Sequence, residues 1–152
     1  MSLKDRIGED IKTAMKAKDK IRLQTVRSIK KALLDKEVSL RPKGQDSLNE
    51  AQEIELLSQQ AKQRRDSIEQ YTKAGRQDLA DVEAQELAII ETYLPKQLSE
   101  AELTEIIDGA IADVKAASMK DMGKGMGKIM PQVKGKADGK KVQEIVRERL
   151  GK

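Results

Sequence analysis

Apolar residues recur along this chain at steps of three and four, a pattern that predicts helices and requires no strand. Leu3, Ile7, Ile11, Ala14 and Met15 form a first stripe behind Ser2, a capping residue, and run to about Lys18. Asp19 opens a second helix that turns Ile21, Thr25, Val26, Ile29 and Leu33 inward and ends near Leu40. Lys12, Lys16, Arg22, Arg27, Lys30 and Lys31 fall on the outer sides of these two helices. Pro42 and Gly44 mark the Arg41–Gln45 stretch as a loop. Asp46 or Ser47 then caps a long helix, with Glu50 in capping-box position relative to Ser47. Its stripe is Ile54, Leu57, Ala61, Ile68 and Tyr71, and Gly75 after Lys73 supplies the stop. At about 27 residues this helix measures roughly 40 Å, enough to project as a strut or to lie along a partner helix. A helix from Gln77 to Tyr93 is predicted to fold back on it through Ala74-Gly75-Arg76, with Leu79, Val82, Leu87, Ile90 and the adjoining Leu94 facing in.

Pro95-Lys96-Gln97 breaks the pattern and divides the chain into residues 1–96 and 97–152. Beyond it, Ser99-Glu100-Ala101-Glu102 is a capping box with Leu98 and Leu103 placed as a hydrophobic staple. Leu103, Ile106, Ile107, Ala110, Ile111 and Val114 continue as a buried face. The Ser-to-Asp capping pattern recurs at Ser118–Asp121 before a helix whose stripe is Met119, Met122, Met126, Ile129, Met130 and Val133, and which Pro131 is expected to end. After a loop at Lys134–Asp138, a last helix carries Val142, Ile145, Val146 and Leu150. The expected fold is therefore all-α, a four-helix N-terminal domain with a long helical hairpin followed by a compact three-helix C-terminal domain.

Composition narrows the chemistry. Aromatic residues make up 1% of the 152 residues, Tyr71 and Tyr93 alone, so the core must be aliphatic and methionine-based. Without cysteine there is no disulfide, thiol nucleophile or thiolate metal site, and without histidine the usual general base and commonest zinc ligand are missing. No catalytic residue, metal or cofactor is expected. Carboxylate pairs such as Asp78/Asp81 and Glu83/Glu86 are routine spacings on an exposed helix face. No 18-residue apolar run and no secretory leader is present, so a soluble, cytoplasmic protein without membrane contact is expected.

Net charge is +4, distributed in blocks: +7 over residues 1–43, −10 over 44–114 and +7 over 115–152. A basic tail of that density implies an anionic partner, with RNA the leading candidate. The acidic long helix offers a second kind of surface, for a protein partner, with Glu53 and Glu55 as its test positions, while Lys62, Arg64 and Arg65 form a second basic spot on it.

The most unusual stretch is Asp121-Met122-Gly123-Lys124-Gly125-Met126-Gly127-Lys128-Ile129-Met130-Pro131, running on to Gly135-Lys136-Ala137-Asp138-Gly139. Lys120, Lys124 and Lys128 recur at steps of four on a side of the helix away from the methionines, and Gly123 and Gly127 leave a bare strip where another backbone could approach. Lys134, Lys136, Lys140 and Lys141 extend the basic run. A phosphate-loop motif fails here, because Met122 and Met130 stand where its first glycine belongs and Ile129 or Ala137 where Ser or Thr belongs. Lysines likewise rule out a membrane GxxxG motif.

Together with Tyr93-Leu94-Pro95-Lys96-Gln97-Leu98-Ser99-Glu100-Ala101-Glu102-Leu103, these blocks resemble the GatB/Yqey family over essentially the whole chain. Gly125 departs from the family pattern, where a larger residue is more usual. The resemblance implies a stand-alone, all-helical Yqey-like protein whose C-terminal domain is similar to the tail of GatB, a subunit of a glutamine-dependent tRNA amidotransferase. In that enzyme the tail holds tRNA, and a separate domain absent from this chain carries out the carbon–nitrogen ligase chemistry. It thus implies tRNA or structured-RNA binding by backbone and shape through Lys120, Lys124, Lys128, Lys134, Lys136, Lys140 and Lys141, with Gly123 and Gly127 admitting a close approach. The alternative is an assembly module that partners the amidotransferase or another RNA-handling protein.

Overall fold

A computed structural model describes residues 1–151. Among them are seven α-helices, two short 3-10 turns and no strand. The helices are α1 (Leu3–Ala17), α2 (Lys20–Leu40), α3 (Glu50–Lys73), α4 (Gln77–Glu91), α5 (Glu100–Asp113), α6 (Met122–Val133) and α7 (Gly139–Leu150). The chain forms two compact units, Met1–Leu94 and Pro95–Lys152.

In the first unit the helix starts follow their capping residues. The Ser2 hydroxyl accepts from the Asp5 N–H at 3.1 Å, and the Asp19 carboxylate accepts from the Arg22 N–H at 3.1 Å. The long helix departs from the expectation, because Asn49 is its cap in place of Asp46 or Ser47. Asn49 accepts from the Gln52 N–H at 2.8 Å and donates its own N–H to the Gln52 side chain at 3.0 Å. Gln45 holds that same Gln52 oxygen at 2.6 Å, so the reciprocal box is fixed from the loop side and the helix begins at Glu50. At 24 residues α3 spans roughly 36 Å and packs against α4 and α2, not outward as a strut. It ends as expected at Gly75, whose φ of +73° lets the Arg76 N–H reach the Tyr71 carbonyl at 2.8 Å.

The core of this unit is Ile7, Val26, Ile29, Leu33, Leu57, Ala61, Ile89, Ile90 and Tyr93. On α4 the inward face differs from the one predicted. Val82 is exposed and Leu79 only half-buried, while Ala80, Glu86 and Ile89 are buried. Glu86 is buried because Arg64 of α3 meets it in the α3–α4 seam, 2.9 Å from Glu86 and 3.7 Å from Glu83. Arg64 is therefore an internal ion-pair residue, and with Arg65 bridged to Glu91 at 3.7 Å the expected basic spot on α3 reduces to Lys62. Met15 is likewise exposed, at 53%.

α4 stops at Glu91, two residues before the expected end. Thr92 and Tyr93 donate to the carbonyls of Ile89 and Ile90, three residues back, a tightened last turn before the helix-disfavoured position ahead of Pro95. Tyr93 is then pinned to α1. Its hydroxyl donates to the Asp10 carboxylate, and the Arg6 guanidinium sits 5.0 Å from its ring centre while donating to the Thr92 carbonyl at 3.2 Å.

The second unit gathers α5, α6 and α7 around Leu103, Ile107, Ala110, Ile129, Val133, Val142, Ile145, Val146 and Leu150. Ser99 caps α5 as a full capping box with Glu102.

These burial differences set a contrast between two α4 positions. Ile90→Ala, at a position with no exposed surface, should cost about 2–5 kcal/mol. Val82→Ser should stay within about 0.5 kcal/mol of the native protein. Urea unfolding of both variants checks the pair, and an equal loss in both would restore the inward placement of Val82.

Candidate nucleic-acid interface

Helix α6 is poorly suited to stand alone. Three glycines in its first two turns cost about 2–3 kcal/mol relative to alanine. Its stability comes from its apolar stripe: Ile129 and Val133 are fully buried, and Met122, Met126 and Met130 pack partly buried against the same cluster. The methionines therefore line the core. Met119 is the exception at 45% exposure, because it falls in the 3-10 turn preceding the helix.

Both ends of α6 are held by polar contacts. Asp121 accepts the backbone N–H of Ala117 at 2.8 Å and of Ser118 at 3.4 Å. Those donors, and then the nearby Lys124 charge, hold its carboxyl below the usual aspartate range. Pro131 does not end the helix as expected; it lies inside the last turn, and α6 continues to Val133. Near the C-terminus a ring without an N–H removes a single backbone bond, to the Gly127 carbonyl, and the packing of Ile129 and Val133 outweighs that loss. Gln132 meanwhile donates to the Lys128 carbonyl at 3.0 Å.

The turn into α7 is tethered from a distance. The Leu98 N–H donates to the Lys136 carbonyl at 2.8 Å, and the Gln97 amide donates to the Gly135 carbonyl at 2.8 Å. Gly135 adopts φ +77°, the left-handed conformation that glycine tolerates. Gln97 and Leu98 thus position the backbone that carries Lys134 and Lys136. From the sequence this segment reads as a break followed by a hydrophobic staple at Leu98, and nothing local signals a bond across 38 residues.

All seven lysines of the expected site are exposed. At about 100° per residue, Lys124 and Lys128 share a face of α6 opposite the methionine stripe, with Lys120 just before it. Gly123 and Gly127 are exposed and lie between that face and the stripe. A β-carbon at either position would meet nothing within 4 Å, so no part of the described chain uses the strip for close packing. Lys134 and Lys136 stand on the tethered turn, and Lys140 and Lys141 in the first turn of α7. Among the described residues Lys120, Lys128, Lys134 and Lys136 make no salt bridge, whereas Lys141 lies 3.5 Å from Glu100 of α5. Neither α6 nor α7 has an acidic residue in its first turn, and both place lysine there, against the sign the helix dipole favours.

The acidic alternative divides similarly. Glu55 is exposed, but Glu53 is partly buried, and burial followed by repulsion from Glu50 and Glu37 raises its carboxyl above the usual range. Glu83 is raised too, by burial and Glu86, against the opposing pull of Arg64.

Over residues 4–150 the chain matches the family described as Yqey-like protein. It belongs to that family. Curated relatives of this Yqey-like chain are named Altered inheritance of mitochondria protein 41, mitochondrial. That of Pyrenophora tritici-repentis is 29% identical over 148 residues, 93% of this chain and 79% of the relative. That of Lachancea thermotolerans is 34% identical over 114 residues, 74% and 59% of the two lengths. The Saccharomyces cerevisiae protein is 31% identical over 134 residues, 88% and 62%. The chain thus spans less than two thirds of the length of the latter two.

These names overturn the expectation of a cytoplasmic protein, which rested on the lack of an apolar run. No helix among the described residues is long and apolar enough to cross a membrane. That property bears on membrane spans and secretory leaders, whereas mitochondrial targeting uses amphipathic, Arg-rich segments without such a run.

Two outcomes follow for the Yqey-like chain. Gly123→Ala and Gly127→Ala, at open helical positions without positive φ, should each raise the stability of the second unit by about 0.4–1 kcal/mol. Urea melts followed by amide resonances of α5–α7 measure it, and destabilisation would reveal a close approach at the strip. In the first unit, a raised carboxyl contributes stability below its unfolded value of 4.5 that is lost as pH rises through its folded value. Glu53→Gln should therefore be more stable than the native chain at neutral pH and lose that advantage on acidification below about 4.5. A variant equally or less stable at neutral pH would contradict it.

Proposed function

We propose that this Yqey-like protein binds structured RNA, tRNA above all, by backbone and shape through the lysine surface of its second unit. The observation that carries the reading is the exposed α6 face. Lys124 and Lys128 flank an open glycine strip, while the adjacent turn presents Lys134 and Lys136 on a backbone tied down by Gln97 and Leu98. Cations on an anchored backbone lose little freedom when they meet phosphates, and a strip without β-carbons lets a sugar-phosphate chain approach. The second unit has no aromatic side chain, so base stacking cannot contribute and contacts fall to phosphate and ribose. The resemblance of the same stretch to the tail of GatB supports tRNA as the RNA and an association with the amidotransferase. No catalytic step is assigned to this chain, and the ligase chemistry belongs to other domains in that enzyme.

The test is binding of tRNA to the full chain across a salt series, beside Lys124→Glu/Lys128→Glu, with helicity monitored by circular dichroism. Each lost phosphate contact should flatten the slope of log K against log salt by about 0.7–0.9, so the variant should lose about 1.5 in slope. Equal binding of unstructured RNA would reject recognition by shape. No binding even at about 50 mM salt would reject the RNA reading altogether.

A further inference from the structure

The first unit carries a cationic surface of its own, on the side of the α1–α2 hairpin away from its core. Lys12, Lys16, Lys20, Arg27, Lys30 and Lys31 are all exposed, and among the described residues none makes a salt bridge. On α2, Lys20, Arg27 and Lys31 fall within about 40° of one another, opposite the buried Thr25, Ile29 and Leu33.

The carboxylates that could neutralise this face are engaged elsewhere. Asp5 accepts from the Ser2 N–H at 3.4 Å, and Asp10 from the Tyr93 hydroxyl. Asp19 caps α2 and bridges Arg22 at 3.5 Å. Glu37 is buried and holds Lys4 at 2.9 Å. Among the described residues only Glu9 and Asp35 on the two helices lie outside these caps and pairs. α2 also opens with Lys20 next to its Asp19 cap and has no acidic residue in its first turn, so the helix dipole, which Asp19 serves, does not account for the lysine.

We propose that this α1–α2 face is a second contact for the phosphate backbone of a folded RNA. The proposal rests on the RNA reading of the second unit and adds a separate surface to it. Charge complementarity favours a polyanion, and the ridge has no aromatic residue for reading bases. A second copy of the chain, offering its acidic α3–α4 hairpin, fits less well, because such a head-to-tail contact between two different surfaces propagates unless it closes into a ring. Because the chain joins the two units, two weak phosphate contacts on one RNA would reinforce each other.

The deciding experiment compares four full-length proteins on tRNA and on a plain RNA duplex across a salt series. They are the native chain, Arg27→Glu/Lys31→Glu, Lys124→Glu/Lys128→Glu and the fourfold variant, with Arg27→Gln/Lys31→Gln as a milder check on folding. The α2 variant should lose about 1.5 in salt slope and roughly tenfold in affinity at low salt, and the fourfold variant more than either pair. Native behaviour of the α2 variants beside a weakened α6 variant would overturn this proposal and leave the first reading standing. The reverse pattern would overturn the α6 reading and keep this surface. An unaffected fourfold variant, or no binding by the native chain, would overturn both. A native dimer that dissociates with salt and with Arg27→Glu/Lys31→Glu would assign the face to self-association and reject the RNA contact.

Discussion

Burial of aliphatic side chains with almost no aromatic help is the constraint under which every helix of this chain is built. One tyrosine and eight smaller side chains form the core of the first unit, and the second has nine with no aromatic among them. Each aliphatic residue removes less surface from water than a Phe or Trp would, so a helix is held by burying several residues of its apolar stripe together. The opposite faces are then free to carry charge, and 37% of the chain is charged.

Helix α6 shows the consequence most directly. Its glycines and proline weaken the helix, and the side chains that restore it come from α5 and α7 across the shared core. Packing thus holds the lysine-bearing face in place from behind. The turn beyond it is held by backbone bonds from Gln97 and Leu98. Stability is supplied on one side of the helix and charge is presented on the other, so the two demands do not compete for the same positions.

The two units treat charge differently. In the first, Arg64 meets Glu83 and Glu86 within the α3–α4 seam, and Glu37 is buried with Lys4 above it. Losing one partner there would leave a desolvated charge, which ties the orientation of α4 to a single arginine. In the second unit ion pairs lie at the surface, such as Arg149 with Asp108 at 2.8 Å, and exposed pairs of this kind contribute little. Two carboxylates in that unit act in capping boxes: Ser99 and its backbone hold Glu102 below the usual glutamate range, as the Ala117 and Ser118 N–H groups do for Asp121.

Local periodicity and capping chemistry determined much of this architecture from the sequence alone. The all-helical class, the caps at Ser2, Asp19 and Ser99, the stop at Gly75 and the apolar stripe of α6 all depend on neighbours within about four residues, the range over which a helix makes its own bonds. The exposure of the seven lysines follows from the same spacing. What only the tertiary structure decided involves partners far apart in the chain. Arg64 draws Glu86 into the α3–α4 seam, and packing carries α6 past Pro131. Gln97 reaches across to Gly135, and Asp10 and Glu37 are engaged by Tyr93 and Lys4. In each case a long-range contact outweighs a local preference worth about a kilocalorie, and no window along the sequence contains both of its ends.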